Sequence, residues 1–269
     1  MSCYAKDEPI FLKEALCSIA SQDFLPTELL LVCDGVLTES LNDVICDFES
    51  SISNLTLKFN IIRLDQNVGL GKALALGSSH CSQPYIVRMD SDDISISTRL
   101  RELKEVIDND PSADVIGAQI EEFHLNLGDL RRVRYVPESP IEIRKFARFR
   151  SPMNHVTVCI KRETLEAVGG YEHMLWHEDY FLWLKMLNSG AKLINLPKVH
   201  VWVRVVDLTA RRRGLKYVGA EVDFVISNLK RGYMSYSTGL LYILSRMLVR
   251  LAPSSLVSKV YSLLRKEHS

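Results

Sequence analysis

Asp90-Ser91-Asp92-Asp93 follows directly on the apolar run Tyr85-Ile86-Val87-Arg88-Met89. Three carboxylates within four residues repel one another unless a cation or hydrogen-bond donors neutralise them, so a buried strand ending on such a cluster points to a divalent metal site. The same residue types also make turns, and the cluster would serve equally as a solvated bend ahead of a helix beginning near Thr98. An EF-hand register is excluded: with Asp90 in first position, the required Gly falls on Ser95 and the bidentate Glu on Arg101. A second stretch, Asn67-Val68-Gly69-Leu70-Gly71-Lys72-Ala73, places glycines and a lysine where a strand gives way to a helix, which suits a backbone approaching a phosphate. It is not a nucleoside-triphosphate loop, because Gln66 stands five residues before Gly71 and Ala73 follows Lys72. Nor is it the dinucleotide fingerprint, which needs a glycine where Leu74 stands.

The elements that carry these residues alternate in type. Phe11, Leu12, Ala15, Leu16 and Ile19 recur at helical spacing, and the run Leu29 to Cys33 reads as a buried strand. Leu41, Val44, Ile45 and Phe48 mark a helix, Phe59 to Leu64 a strand, Gly71 to Ser79 a helix and Tyr85 to Met89 a strand. This alternation predicts a parallel-rich sheet flanked by helices. Ligands in such sheets bind beyond the carboxyl ends of the strands, where Asp34, Asp65, Asn67 and Asp90 fall. Further on, Leu100 to Ile107 reads as a helix, Asp114 to Phe123 as a strand and Ile141 to Arg150 as a basic helix. Val156 to Ile160 then reads as a strand, Asp179 to Leu187 as an apolar-rich helix and Ala191 to Leu196 as a last short strand.

A chain of 269 residues with 47% hydrophobic and 25% charged content can bury one large core or two modest ones. Its zero net charge hides an asymmetry: from His200 onward there are 12 Lys and Arg against 4 Asp and Glu, leaving 21 against 29 in residues 1–199. Cys3, Cys17, Cys33, Cys46, Cys81 and Cys159 lie singly among apolar residues, without metal-binding spacing, and read as reduced core thiols of a cytoplasmic protein. The first residues have neither the basic start nor the apolar core of a signal peptide, so export is not expected.

Taken in order, these residues resemble family 2 glycosyltransferases of the GT-A fold, especially bacterial enzymes that build exopolysaccharide or O-antigen repeat units. The resemblance covers most of the chain. It rests on Tyr4-Ala5-Lys6-Asp7, on Leu16 to Gln22 leading to Pro26-Thr27-Glu28-Leu29, on Val32-Cys33-Asp34-Gly35 and on Asn67 to Leu74. It rests further on Asp90-Ser91-Asp92-Asp93, Gly169-Gly170-Tyr171, Glu178-Asp179-Tyr180 and Arg212-Arg213-Gly214. The implied fold is α/β, with a mixed, mostly parallel GT-A sheet flanked by helices in residues 1–214 and C-terminal amphipathic helices in a basic region, residues 215–269. The implied activity is inverting transfer from a nucleotide-diphospho-sugar, a UDP-sugar first among them, to a saccharide or polyprenyl-linked acceptor, with Mg²⁺ or Mn²⁺ as cofactor.

The resemblance assigns roles residue by residue. Asp92 is the main metal ligand, Asp90 contacts the ribose or the metal through water, Ser91 lies in the same donor-binding turn, and Asp93 supports them. Asp34 contacts the nucleotide base, with Tyr4 and Ala5 lining the pocket, and Lys72 faces the phosphates. Asp179 is the base that deprotonates the acceptor hydroxyl, with Glu178 as the alternative; Asp179 would also serve as a helix cap. His155 is a candidate sugar contact or a hydrogen-bonded structural residue. Arg204 and Arg211-Arg212-Arg213-Gly214 could clamp the pyrophosphate or form a solvated or membrane-facing basic patch.

Two further expectations concern the ends of the chain. It begins at Met1-Ser2-Cys3-Tyr4, where the family carries more apolar residues, so the first strand is expected to be short. That favours, as the alternative function, a sugar-nucleotide-binding or scaffolding subunit without turnover; a nucleotidyltransferase would need a glycine-rich basic loop near its start. In the tail, Tyr242, Arg246 and Arg250 are four apart on an otherwise apolar helix, a narrow basic stripe that suits an anionic membrane surface on the cytoplasmic side. Leu256, Val257, Val260, Tyr261 and Leu264 begin a second such segment beside Lys259, Arg265 and Lys266. Packing of both against the catalytic domain is the competing reading. Nucleic acid is not an expected partner.

Overall fold

The computed structural model describes residues 1–205, 215–251 and 266–267. Its first half alternates as the apolar runs require: β1 (Ser2–Cys3), α1 (Pro9–Ala20), β2 (Glu28–Cys33), α2 (Glu39–Ser51), β3 (Lys58–Arg63), α3 (Leu70–His80) and β4 (Tyr85–Val87). The strands β1, β2 and β3 pair in parallel, with Cys3 opposite Cys33 and Val32 opposite Ile62. The short first strand keeps its ladder in part through its own terminus, since the Met1 amine donates to the Leu30 carbonyl at 3.0 Å. Helix α1 buries Leu12, Ala15, Leu16 and Ile19, and α2 buries Leu41, Ile45 and Phe48. Those faces close one apolar cluster with Leu29, Leu31 and Met89.

The second half is β5 (Ile94–Ser95), α4 (Arg99–Asn109), β6 (Val115–Phe123), β7 (Arg132–Arg134), α5 (Pro140–Phe146), β8 (Cys159–Lys161), α6 (Arg162–Ala167), α7 (Glu178–Asn188) and β9 (Leu193–Arg204). After these come α8 (Leu215–Lys230), α9 (Tyr236–Leu251) and β10 (Lys266–Glu267). Here β6 pairs in parallel with β9 only; its pairs with β7 and β8, and those of β4 with β8 and β5 with β9, are antiparallel. The strands thus form two sheets, a parallel one of β1, β2 and β3 and a larger mixed one in which every pair but β6 with β9 is antiparallel.

Two segments depart from their sequence reading. Strand β9 does not stop at Leu196 but runs on to Arg204, because β6 offers a partner along its whole length. The register shifts between Ala118 and Gln119, opposite the stretch containing Pro197, which has no N–H to give the ladder. The region read as a strand from Val156 begins instead as a 3₁₀ turn, His155–Thr157. There the Thr157 hydroxyl donates to the Asn154 carbonyl at 2.7 Å.

Helix α7 is buried on every side from Tyr180 to Leu187, apolar but for Lys185, whose ammonium donates to the Gly170 carbonyl at 2.8 Å and pairs with Glu172. Its neighbours include the C-terminal helices: Phe224, Val225 and Tyr242 belong to the same apolar cluster as Phe181 and Trp183. Gly239 lets α9 approach closely, since a Cβ there would lie 2.9 Å from Val225 Cγ1. The tail stripe is oriented opposite to its sequence reading. Tyr242 is 1% exposed, and Arg246 lies over its ring and donates to the Phe149 carbonyl at 3.1 Å. The outward face of α9 is instead apolar, with Tyr236, Leu240, Leu241, Leu244 and Met247. The side chain of Arg250 and the segment Leu256 to Leu264 lie outside the described residues. Among the described residues no helix is long and apolar enough to cross a membrane.

Candidate active site

The acidic turn sits where β4 ends, and its three carboxylates each offer an oxygen within 4.8 Å of the others. Each is held differently. Arg88, buried just past the end of β4, grips both oxygens of Asp90, Nη1 donating at 2.5 Å. Asp93, 2% exposed, accepts the Arg204 backbone N–H at 2.9 Å. The Ser91 hydroxyl donates to Asp7 Oδ2 at 2.7 Å, so the loop Tyr4 to Asp7 adds a fourth carboxylate beside the turn. Arg99, fully buried at the start of α4, donates to the carbonyls of Arg88 and Val156 at 2.9 and 3.0 Å and fixes the corner from below.

The electrostatics follow from that crowding. The outer edge of Asp92 reaches solvent, but its carboxyl group is partly enclosed; desolvation first, then the charges of Asp90 and Asp7, push its pKa up to about 6. Burial, followed by Asp90 and Asp92, holds the Asp93 carboxyl well above the usual range. Asp7 is raised mainly by burial. Carboxylates this close that resist ionising together, offering only oxygen donors, fit a hard divalent cation such as Mg²⁺ or Mn²⁺.

The glycine-containing turn ahead of α3 is held from the end of β2. Asp34, 4% exposed, accepts the backbone N–H groups of Val68 and Gly69 at 2.7 and 3.0 Å. Its carboxylate therefore shapes the loop ahead of α3, while Tyr4 and Ala5 stand exposed nearby in sequence to the Asp7 carboxylate. Gly35, at φ +93°, is required where the loops after β2 and β3 cross: a Cβ would lie 2.8 Å from the Asn67 nitrogen. Lys72 is exposed in the first turn of α3.

The second acidic site opens α7. Glu178 and Asp179 are half-buried in its first turn, where the helix dipole favours negative charge. Gly71 lets α3 touch it, because a Cβ there would lie 2.9 Å from Glu178 Cγ. Burial, and then the charge of Asp179, raises the Glu178 pKa. Asp179 Oδ2 accepts from the Ser151 hydroxyl at 3.2 Å. Between the two acidic sites stands Tyr171, buried, its hydroxyl 2.9 Å from His155 Nε2. Its pKa is raised chiefly by burial, with Arg88 opposing and both Asp179 and Asp90 adding to the rise, so the two sites share one electrostatic neighbourhood.

Most of the residues singled out from sequence thus come together around one corner of the fold, but two turn inward. Arg204 is sandwiched between the rings of Phe11 and Phe123 and donates to Glu14 at 2.5 Å and to the Asp92 carbonyl at 3.1 Å. It bolts β9 to α1 and to the acidic turn. His155 packs on Tyr171 and Trp183, and burial pushes its pKa well below the ordinary value, so it stays neutral. Arg211 to Gly214 lie outside the described residues. Sequence reading missed Asp7, Arg88 and Arg99. For Arg88 a signal existed: it is the one charged residue of an otherwise apolar run, two positions before Asp90.

Comparison with known proteins shows the family. The family model for glycosyl transferase family 2 matches residues 2–165. The chain belongs to that family. It is therefore a glycosyltransferase, as are its most similar relatives. An uncharacterized glycosyltransferase of Haemophilus influenzae is 38% identical over 99% of this chain and 98% of its own length. The UDP-Gal:alpha-D-GlcNAc-diphosphoundecaprenol beta-1,3-galactosyltransferase of Escherichia coli is 35% identical over 97% of this chain and 93% of its own. The amylovoran biosynthesis glycosyltransferase AmsE of Erwinia amylovora is 34% identical over 99% and 98%. Among solved structures, the mannosyltransferase PcManGT of Pyrobaculum calidifontis, in complex with GDP-Man and Mn²⁺, superposes with a TM-score of 0.63 over 98% of this chain and 79% of its own at 15% identity. Residues 1–349 of Staphylococcus aureus TarS with UDP-GlcNAc give 0.62 over 85% and 66% at 17%. The chain spans 42% of the longer TarS chain. Those likenesses establish the GT-A fold.

Proposed function

We propose that this glycosyltransferase moves a sugar from a UDP-sugar, with inversion, to a hydroxyl of a polyprenyl-diphosphate-linked saccharide during assembly of a bacterial surface polysaccharide. The observation that carries the reading is the nearness of two acidic sites: Tyr171 lies close enough to feel both Asp90 and Asp179, and Gly71 of α3 lies against Glu178. The donor class draws on the likeness to TarS, and the acceptor class on the Escherichia coli relative.

Asp92 and Asp90 would hold the cation, with Asp93 and Arg88 fixing the turn. A bound Mg²⁺ or Mn²⁺ supplies positive charge where the nucleoside diphosphate leaves. Tyr4 and Ala5 line the nucleoside side, Ser91 and Asp34 shape its walls, and Lys72 stands exposed for the phosphates. Asp179 takes the proton as the acceptor oxygen bonds to the anomeric carbon and the bond to the diphosphate oxygen breaks; Glu178 is the alternative acceptor of that proton. Such a base is worth roughly 10²- to 10⁴-fold.

An enzyme acting on a lipid-linked acceptor would work at the cytoplasmic face of a membrane. The outward face of α9 supports that position with Leu240, Leu241, Leu244 and Met247, and the excess of basic residues after His200 complements anionic headgroups. Flotation with vesicles of anionic and neutral phospholipid tests it. Leu241→Glu with Leu244→Glu should abolish co-flotation; unchanged co-flotation overturns the membrane reading.

For the reaction, a screen of UDP-, GDP- and dTDP-sugars follows nucleoside-diphosphate release with a synthetic polyprenyl-diphosphate GlcNAc acceptor. UDP release that requires the acceptor and a divalent cation supports the reading. Metal-dependent donor binding without release in the presence of acceptor points instead to a binding subunit.

A further inference from the structure

The residues immediately before the acidic pair are gripped by α8 in a way that neither metal nor donor binding requires. Trp176 has φ +61°, a left-handed conformation costly for a bulky residue and kept only where its surroundings over-determine it. Its ring stacks on Tyr217 of α8, centroids 3.8 Å apart and planes 14° apart. The next residue, His177, is the position from which α7 begins. It is 8% exposed, its ring stacks on Phe224 at 4.9 Å, and its Nε2 lies 3.0 Å from Glu221 Oε2. Tyr217, Glu221 and Phe224 recur at helical spacing, so one face of α8 holds both residues of the corner.

Glu221 is itself an unexpected buried group. It is 3% exposed, and its Oε2 also accepts from the Tyr242 hydroxyl of α9 at 2.7 Å. A carboxylate removed from water is costly unless several donors meet it, and an apolar residue would fill the same space at less cost. What a hydrogen-bonded network adds is a fixed geometry. Here the geometry fixed is that of the His177 ring, and through it the direction in which Glu178 and Asp179 leave the loop.

We infer that Glu221, braced by Tyr242, is a positioning residue for the catalytic base: with Tyr217 it sets the Trp176–His177 corner from which Asp179 is aimed at the acceptor hydroxyl. The inference rests on the proposed role of Asp179. It gives the two C-terminal helices a part in the reaction, because the inner face of α9 that carries Tyr242 is opposite the outward leucine face.

The test is a double-mutant cycle on the full chain, with Glu221→Gln, Glu221→Ala, Tyr242→Phe, Asp179→Asn and the Glu221→Ala/Asp179→Asn pair. Initial transfer rates, donor KM and metal-dependent UDP binding are measured below the melting temperature of each variant. Glu221→Ala is expected to lower kcat by about 10- to 100-fold, since small misplacement of a catalytic group costs rates of that order. Its donor KM and UDP affinity should stay within about twofold, a split that general loosening of the fold would not give. Glu221→Gln and Tyr242→Phe should fall between it and the parent. In the Asp179→Asn background, Glu221→Ala should cost less than about threefold, because there is no base left to aim. Full additivity, or a normal kcat in Glu221→Ala while Asp179→Asn is impaired, overturns the positioning role. Unimpaired turnover by Asp179→Asn contradicts the base assignment itself and is recognised separately. If Glu221→Ala does not fold, Glu221→Gln carries the same cycle.

Discussion

The two acidic sites of this molecule use the same side chains under different constraint. In the turn Asp90–Asp93, almost every carboxylate has a fixed partner: Asp90 has Arg88, Asp93 the Arg204 N–H, and neighbouring Asp7 the Ser91 hydroxyl. Asp92 is the member left facing outward. At the start of α7, among the described residues, Asp179 is met by the Ser151 hydroxyl and the helix dipole, and Glu178 leans on the bare backbone of Gly71. On the proposed reading, the tethered carboxylates hold the turn in place around Asp92, the one left free to meet a cation, while the lightly tethered pair leaves an oxygen free to take a proton.

Breaking the base side should have the largest effect. Asp179→Asn should lower kcat by about 10²- to 10⁴-fold with metal-dependent donor binding retained, measured by steady-state kinetics beside calorimetric UDP titration. If both are lost together, the two sites do not divide the labour as argued.

Breaking the tether on the metal side should appear first in stability. Arg88→Met leaves Asp90 without its partner while Asp93 and Asp92 remain. Because Asp90 is one-third exposed, the expected loss is about 1–3 kcal/mol rather than the full cost of a buried orphan charge, read from urea midpoints. A variant as stable as the parent would show that the pair contributes geometry alone.

A smaller, graded effect comes from pH. Asp92 binds its proton more tightly in the folded protein than in the unfolded chain, where carboxyls titrate near about 4. The stability this gives is fully present below that value and is lost as pH rises through about 6. A cation binds only the ionised form. The Mn²⁺-induced rise in melting temperature should therefore be larger at pH 7.5 than at pH 5, and apparent Mn²⁺ affinity should fall about tenfold per pH unit below 6 if one proton is displaced. A pH-independent Mn²⁺ shift would place the ion elsewhere.

How much of this was legible in the sequence depended on how local the physics was. The acidic turn and its place after a strand followed from the run Tyr85 to Met89, and the phosphate turn from its glycines. Arg88 was within reach as the one charged residue of its run, two before Asp90, but was absorbed into the apolar run. Arg204 was not, because Phe11, Glu14 and Phe123, which enclose it, are distant in sequence. Helical spacing found both faces of α9. Which face turned inward depended on Glu221, a residue of the neighbouring helix that gives the Tyr242 hydroxyl a buried partner. The length of β9 likewise depended on β6.

The central claim is that Asp92 holds the cation that makes donor binding and sugar transfer possible. Titration of the parent and Asp92→Ala with the active UDP-sugar, with and without Mn²⁺, tests it most directly. The parent should bind the donor in a Mn²⁺-dependent manner, and the variant should show weak binding that Mn²⁺ does not change, together with loss of transfer. Mn²⁺-dependent donor binding by Asp92→Ala equal to that of the parent would contradict the account.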